Sequence, residues 1–431
     1  MSDGLQSWGR YPRAEQRALR LHNRFASLPE FQGCALPRGN GRSYGDVCLN
    51  DGGTLLDARG LDRFISFEAT AGTLRVEAGV LLGTILEVFV PRGWFLPVAP
   101  GTRFVTVGGA IANDVHGKNH HVVGSFGCHV RAFELLQGDG SRRICSREKN
   151  VEWFAATIGG LGLTGLITWV ELQLKSVSSA WFESETIRYN QLDDFFELSA
   201  QSERAFNYTV AWVDCTARGP ALGRGVFTRG NHAAAETRVL HERHWRMPFT
   251  PPFSLVNAPT LHAFNALHFY RAPATTRRTR EHYRSWLFPL DAIHNWNRIY
   301  GPRGFLQYQC VLPPQAAREG MRELLERIAA SGQGSFLIVL KQFGMNVSPG
   351  LLSFPRAGTT LAVDFAYRGQ VTLELLDQLD ATVTAAGGAV YPAKDARMSG
   401  ENFRRFFPAW QQFSAFIDPA FSSGFWRRMM Q

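Results

Sequence analysis

The 431-residue chain has no apolar run near the ~20 residues that a membrane-spanning helix requires. Its first eight residues, Met1 to Trp8, carry neither the basic nor the apolar stretch of a secretory leader. The six cysteines (Cys34, Cys48, Cys128, Cys145, Cys215 and Cys310) are nowhere closer than fourteen positions, so there is no CxxC pair and no zinc-ribbon spacing. Scattered thiols of this kind read as buried, and a reducing compartment is the simplest expectation. No repeat and no low-complexity tract is present. Acidic residues are in short supply: 37 Asp and Glu against 46 Lys and Arg leave a formal charge of +9. The expected home is cytoplasmic or membrane-associated, with a periplasmic one left open.

What remains is a chain of globular composition, 45% hydrophobic and 19% charged, long enough for two or three domains. Glycine is abundant, with 42 residues concentrated in the first 170. That half reads as short strands and tight turns. Leu55 to Asp57 and Leu74 to Ala78 are strand candidates, and Phe133–Gln137 and Arg142–Ile144 flank a Gly138-Asp139-Gly140 hairpin turn. Leu82–Val90 and Val151–Ile158 have helical spacing. In the second half, Phe305–Val311, Phe336–Leu340, Leu361–Phe365 and Ala389–Tyr391 are strands. Met321, Leu324, Leu325 and Ile328 mark one helix, and Leu375, Leu376, Leu379 and Val383 another. The order β-α-β-β-α-β is that of a ferredoxin-like sheet, so an α+β domain is expected from about 180 to 388. Val239 to Tyr270 carries interleaved aromatics and prolines without a period and reads as a long loop.

Four constellations could carry chemistry. Arg38-Gly39-Asn40-Gly41-Arg42-Ser43-Tyr44 can turn sharply and present successive N–H groups as an anion nest, or be a structural turn. Gly101 and Thr102 precede Thr106-Val107-Gly108-Gly109, which opens a small-residue helix running toward Asn113-Asp114-Val115-His116. A helix start favours an anion, and small residues admit a flat ligand. Two such loops about sixty residues apart suit a dinucleotide better than either alone. His116, His120 and His121 lack a carboxylate at metal-binding spacing, so no metal is expected. His116 suits a role beside a cofactor, whereas His120 and His121 read as surface residues. Gln307 and Gln309 share one face of a strand, either exposed or binding something. Lys341 and Lys394 each follow an apolar strand and could offset anionic charge.

Together these motifs resemble the vanillyl-alcohol-oxidase type of FAD-binding oxidoreductases, and within it the branch acting on polyprenylphosphoryl ribose. The likeness is strongest over 39–46, 100–127, 158–167, 297–309, 335–343 and 393–397. It implies a two-part FAD-binding domain, 1–179 and 389–431, around a substrate domain, 180–388. It implies that Arg38 to Tyr44, Gly101, Thr102, Thr106 to Gly109, Asn113 to His116, Ile167 and Tyr391 contact FAD. It places Gln307, Gln309, Lys341, Trp212, Phe343 and Ala362 on the substrate side, with Lys394 and His116 as catalytic residues. The family's flavin-linked histidine has no counterpart in Arg42-Ser43-Tyr44, so non-covalent FAD is expected. A pocket cysteine of the family falls on Ala362, its neighbouring asparagine on Thr360, and a loop tyrosine on Leu287.

The resemblance further implies oxidation of a sugar hydroxyl to a ketone, a partner NAD(P)H-dependent keto-sugar reductase that completes epimerisation, and a quinone-type acceptor. Either Lys394 or His116 could take the hydroxyl proton. A soluble alditol or aldonolactone oxidase using oxygen is the alternative within flavoenzymes. A basic nucleic-acid-binding protein has only the +9 charge behind it, without any helix-turn-helix, zinc finger or RNP-like strand, so no nucleic acid is expected. A non-catalytic flavin fold is opposed by the presence of His116 and Lys394. Arg277, Arg278, Arg280 and Arg284, close to the aromatic segment, suit peripheral membrane contact or a solvated helix face.

Overall fold

The computed structural model describes residues 5–234 and 244–431. Three parallel strands open the chain, β1 (Arg17–Arg20), β2 (Ala35–Arg38) and β3 (Thr54–Asp57), in the order β1-β3-β2. The central strand, β3, is buried along its whole length. Two further strands, β4 (Phe64–Glu68) and β5 (Thr73–Glu77), begin an antiparallel sheet. The chain then forms α1 (Leu82–Phe89) and α2 (Val107–Ala112). It returns as the hairpin β6 (Val130–Leu136) and β7 (Arg142–Ser146), whose turn closes through Gly140 N–H to the Gln137 carbonyl at 3.0 Å. After α3 (Val151–Thr157), β8 (Leu166–Gln173) completes a sheet of order β4-β5-β8-β6-β7. Leu74, Val76, Phe133 and Val170 of this sheet pack with Ile85 and Leu86 of α1 in one apolar core.

The second half adds β9 (Trp181–Tyr189), β10 (Tyr208–Val213), β11 (Gly225–His232), α4 (Ala258–Arg271) and β12 (Arg277–His282). Then follow β13 (Phe305–Leu312), α5 (Ala317–Ser331), β14 (Ile338–Phe343), β15 (Gly358–Ala366), α6 (Gln370–Ala385) and β16 (Ala389–Val390). The eight strands form one antiparallel sheet, β12-β9-β11-β10-β14-β15-β13-β16. The β-α-β-β-α-β run is present in chain order, but its strands continue into this wider sheet instead of standing alone. The apolar faces of α5 and α6 pack in one cluster with Leu306, Tyr308 and Cys310 of β13. Because strand residues alternate, Gln307 and Gln309 are left for the opposite face.

Two stretches depart from the sequence-based expectation. Residues 239–243 of the anticipated aromatic loop lie outside the described residues, and much of the rest is the helix α4. Asn257 and Thr260 form a reciprocal capping box, and Pro259 sits in the first turn, where its missing N–H costs nothing. Aromatics on several faces of α4 hid the helical period. Arg277, Arg278 and Arg280 lie on the edge strand β12, not on a helix. Arg278 pairs with Glu185 at 3.0 Å and Arg280 with Glu183 at 2.5 Å, both across the ladder to β9, while Arg284 meets Glu87 at 3.5 Å.

The end of the chain closes the structure. Arg428, in α7 (Gly424–Met429), reaches Asp46 at 2.7 Å and Asp395 at 3.0 Å. Burial pushes the Asp46 carboxyl upward against the pull of Arg428. Arg428→Met would leave two buried carboxylates facing each other, so we expect a loss of about 3–5 kcal/mol in denaturant unfolding. A loss under about 1 kcal/mol would show that the network is solvated, as exposed pairs are.

Candidate active site

Both glycine-rich loops line one cavity of about 740 Å³, within the range of small-molecule sites. Strand β2 ends at Arg38 and delivers the first loop into it. The backbone N–H groups of Asn40, Gly41, Arg42 and Ser43 make no hydrogen bond to the described residues, so they are available as an anion nest. Gly41 has φ +61°, the left-handed region, and a Cβ on Gly39 would collide with the Thr106 hydroxyl. Thr106 is itself the N-cap of α2, accepting from Gly109 N–H at 3.2 Å. The loops are tied by Asn40 Nδ2 donating to the Phe104 carbonyl at 2.8 Å. Arg42 stacks over Trp8 at 4.2 Å, and burial lowers its guanidinium pKa. Asn113 lines the cavity with a buried Oδ1 that has no partner among the described residues, an acceptor waiting for a donor. The nest, the close approach at Gly39 and this acceptor fit a pyrophosphate-bearing flavin nucleotide.

The opposite wall is the open face of the large sheet. Register places Val226, Trp212, Val339, Ala362 and Gln309 in one row across β11, β10, β14, β15 and β13, and all five line the cavity. Lys341 stands opposite Thr360, and Gln307 opposite Asp364. Gln309 Nε2 lies 2.9 Å from His116 Nε2 and 3.2 Å from Thr360 Oγ1. Lys341 Nζ lies 3.3 Å from His116 Nδ1. Burial, then Lys341, His120 and Lys394, hold the His116 pKa well below the usual histidine range, so the ring is neutral. A neutral imidazole has one N–H. When the Gln309 amide donates to Nε2, Nδ1 carries that hydrogen, and only the uncharged form of Lys341 can accept it. Burial and the charges of Lys118 and Lys394 bring Lys341 to about 7, in keeping with that role.

Lys394 follows β16 and is placed by its neighbours: the Ala393 carbonyl accepts from Tyr44 N–H at 3.0 Å. Its Nζ sits 3.9 Å from the Tyr44 ring centre, a cation–π distance when it is charged. Burial lowers its pKa to about 7, with Asp364 opposing. Burial raises Asp364 to about 7, opposed by Gln307, Lys394 and Tyr300.

Most residues singled out in the sequence meet here. Arg38 to Tyr44, Gly101, Thr102, Thr106, Gly109, Asn113, Val115, His116, Trp212, Gln307, Gln309, Lys341, Ala362, Tyr391 and Lys394 all line the cavity. Five do not. Val107 and Gly108 dock the start of α2, donating their N–H to the Val80 and Ala78 carbonyls. Asp114 is fully buried and accepts from Gly127 N–H, Ser348 and Ser353. Ile167 belongs to the core of the five-stranded sheet. Phe343 packs behind the cavity, 4.7 Å from His116 and 4.3 Å from His120. His120 is buried, not at the surface as expected, because the short helix His120–Val123 turns it against Phe343. Asp291, Asp364 and Lys118 were missed. Asp291 accepts from Thr102 Oγ1 at 2.7 Å and Arg103 N–H at 2.8 Å, anchoring the second loop. Lys118 donates to the Trp286 carbonyl, and burial lowers its pKa to about 8. Only Asp364 had a signal: period two from Ala362 puts it on the same face.

Residues 25–146 match the family model described as FAD binding domain, so the cavity belongs to an FAD-dependent oxidoreductase. The chain belongs to the family that includes decaprenylphosphoryl-β-D-ribose oxidase of Mycolicibacterium smegmatis: the two are 36% identical over 412 residues, 91% of this chain and 88% of that one. An uncharacterized Streptomyces coelicolor protein from the mprA 5′ region is 34% identical over 81% of this chain and all of its own length. L-gulonolactone oxidase of Mus musculus is 30% identical over 31% of this chain and 30% of its own.

The Gly39 contact yields a test. Gly39→Ala would displace the Thr106 cap, which costs about 1 kcal/mol, and fill the cradle. The purified variant is expected to lose most of its flavin absorbance relative to protein absorbance; full flavin content would show that the nest is not a phosphate site.

Proposed function

We propose that the chain oxidises the ribose 2-hydroxyl of a polyprenylphosphoryl-β-D-ribose to the 2-keto sugar, the first step of epimerisation to an arabinose donor for cell-wall polysaccharide. The likeness to decaprenylphosphoryl-β-D-ribose oxidase supports this substrate class. The observation that carries it is a single cavity joining the flavin loops to a sheet face bearing Gln307, Gln309, Lys341, Asp364 and Lys394. In this reading residues 1–179 and 389–431 hold the cofactor, and 180–388, with its ferredoxin-like run, shape the substrate side. Bound FAD, held without a covalent link, supplies the hydride acceptor. The amides of Gln307 and Gln309 orient sugar hydroxyls. A quinone-type acceptor and an NAD(P)H-dependent keto-sugar reductase complete the sequence.

Lys394 is the stronger candidate for the proton acceptor. Both ring nitrogens of His116 are engaged, by Gln309 and Lys341. No hydrogen bond or ion pair among the described residues holds the Lys394 Nζ. The amine must be neutral to accept a proton. With its pKa near 7, it is charged and inactive below that value and competent above it. Flavin bleaching by a defined polyprenylphosphoryl ribose is therefore expected to rise with pH through about 7 and then level off. Lys394→Ala should abolish bleaching while FAD stays bound; normal bleaching in that variant would remove Lys394 from the mechanism. Bleaching by free alditols under oxygen, and not by the lipid-linked sugar, would overturn the substrate.

Peripheral membrane contact rests on a different surface from Arg278 and Arg280 of β12, which are paired with Glu185 and Glu183. Trp245, Phe249, Phe253, Leu267 and Tyr270 are each more than 60% exposed, with Phe264 beside them. They continue from the cavity rim. Trp245-Arg246 pairs with Ile293-His294, which lines the cavity, and so does His268 of α4, stacked 5.8 Å from Phe264. Exposed aromatics around the mouth suit a lipid whose head enters while its tail stays in the bilayer. No helix among the described residues is long and apolar enough to cross a membrane. Sedimentation with anionic liposomes should be lost in a Phe249→Ser, Phe253→Ser, Leu267→Ser variant; undiminished binding would show that this face is not the contact.

A further inference from the structure

Three carboxylates line the cavity, Glu281, Asp291 and Asp364. A run of contacts joins Asp364 to Lys394: Lys394 lies over the Tyr44 ring, Tyr44 packs 5.4 Å from Phe305, and Phe305 stacks on Tyr300, whose hydroxyl donates to Asp364. Neither the motifs nor the family likeness had assigned Asp364 a role. It is 1% exposed, on β15. Its Oδ1 accepts from Gln307 Nε2 at 2.5 Å, and its Oδ2 from the Tyr300 hydroxyl at 3.3 Å. Tyr300 is held in turn by Ser335 at 3.3 Å and stacks on Phe305 at 4.1 Å. A carboxylate gripped by two donors on rigid strands cannot swing away, so its position is a fixed feature of the cavity, while burial raises its pKa to about 7 and leaves it charged above that value. Gln307, fixed by this bond, is held in one orientation, with its carbonyl oxygen left for a ligand.

We propose that Asp364 is a positioning residue for Lys394: its carboxylate, held in place and ionised, stabilises the ammonium that forms when Lys394 takes the proton of the substrate hydroxyl. The proposal rests on Lys394 as that acceptor. Oxidation of a secondary alcohol releases one proton from oxygen as the C–H pair departs to the cofactor and the C=O bond forms. In a buried cavity that proton needs a base whose cationic form is tolerated. The other charges near Lys394 oppose it. Lys341, when protonated, repels it, and Lys118 in turn disfavours charge on Lys341. His116 is neutral, and the Tyr44 hydroxyl, which burial holds protonated, offers only the ring face. Asp364 is the group that attracts it. Asp364 and Lys394 also resist each other's neutralisation, because each lowers the cost of the other's charge in a dry site.

The experiment is trace acetylation of the holoenzyme with acetic anhydride over a pH series, read as the reactivity of the Lys394 peptide by mass spectrometry. Only the neutral amine reacts, so the midpoint reports Lys394 directly and needs no substrate. Asp364→Asn removes the charge that favours the ammonium and should move the midpoint down by about one pH unit or more. Gln307→Met, which takes away the donor that keeps Asp364 ionised, should move it the same way by less; this variant carries the test if Asp364→Asn does not hold FAD. A midpoint that stays in place, or rises, in the folded variants would overturn the proposal. The acid limb of flavin bleaching should follow the labelling midpoint, and a limb that does not move with it would also overturn the proposal. If no polyprenylphosphoryl pentose bleaches the wild type, the substrate reading fails, and the labelling result still decides the role of Asp364.

Discussion

The contact on which the rest depends is Arg428 with Asp46 and Asp395. It joins the end of the first glycine loop to two stretches more than three hundred positions later, the turn that carries Lys394 and the last helix. Asp395 also accepts from the N–H groups of Arg397 and Met398. Arg397 is locked to Asp380 of α6 at 2.6 Å. The loop that would cradle phosphate and the lysine that would take a proton are thus fixed to one frame. A lysine on a flexible stem is a poor base unless its backbone is held. Here the Tyr44 N–H bond to the Ala393 carbonyl sets that backbone one residue away.

The frame serves a cavity whose wall does two opposed things. Burial disfavours every charge, and yet the wall carries Lys118, Lys341, Lys394, Asp364 and His116. The resolution is that burial brings the titrating groups toward one another. Lys341 and Lys394 fall to about 7 while Asp364 climbs to about 7, so all three change charge in the same range near neutral pH. A site that must accept a proton and pass it on needs matched groups of this kind more than it needs one strong base.

The local signals survived into the structure. The glycine loop, the small-residue helix start, the Gly138-Asp139-Gly140 hairpin and the alternation of Gln307 with Gln309 are features of neighbouring residues, and a single sequence shows them. What escaped depends on register. Asp364 matters because it stands opposite Gln307, and no spacing within either strand says so. Arg278 and Arg280 of β12 looked like part of a free basic patch because their partners, Glu185 and Glu183, come from a strand nearly a hundred residues earlier. Asp114 sat inside a run of cavity residues but its φ of +39° turns it inward to three donors. The helix α4 starts at a capping box of Asn257 and Thr260 inside a stretch whose interleaved prolines and aromatics read as a loop.

Register also bears on the three positions that depart from the family pattern. Ala362 lies between Gln309 and Val339 in the row across the sheet, so the small side chain there widens the wall without disturbing its neighbours. Leu287 is buried and lines the cavity, which makes that edge apolar where a tyrosine would have brought a hydroxyl. Thr360 is different. Its hydroxyl accepts from Gln309, whose amide in turn meets His116. A threonine is enough to fix that amide, and through it the imidazole and Lys341. Ala362 and Leu287 therefore set the shape and polarity of the cavity wall, while Thr360 holds the hydrogen-bond chain beside it. Selection on substrate could then act at Ala362 and Leu287 without touching the groups proposed to handle the proton.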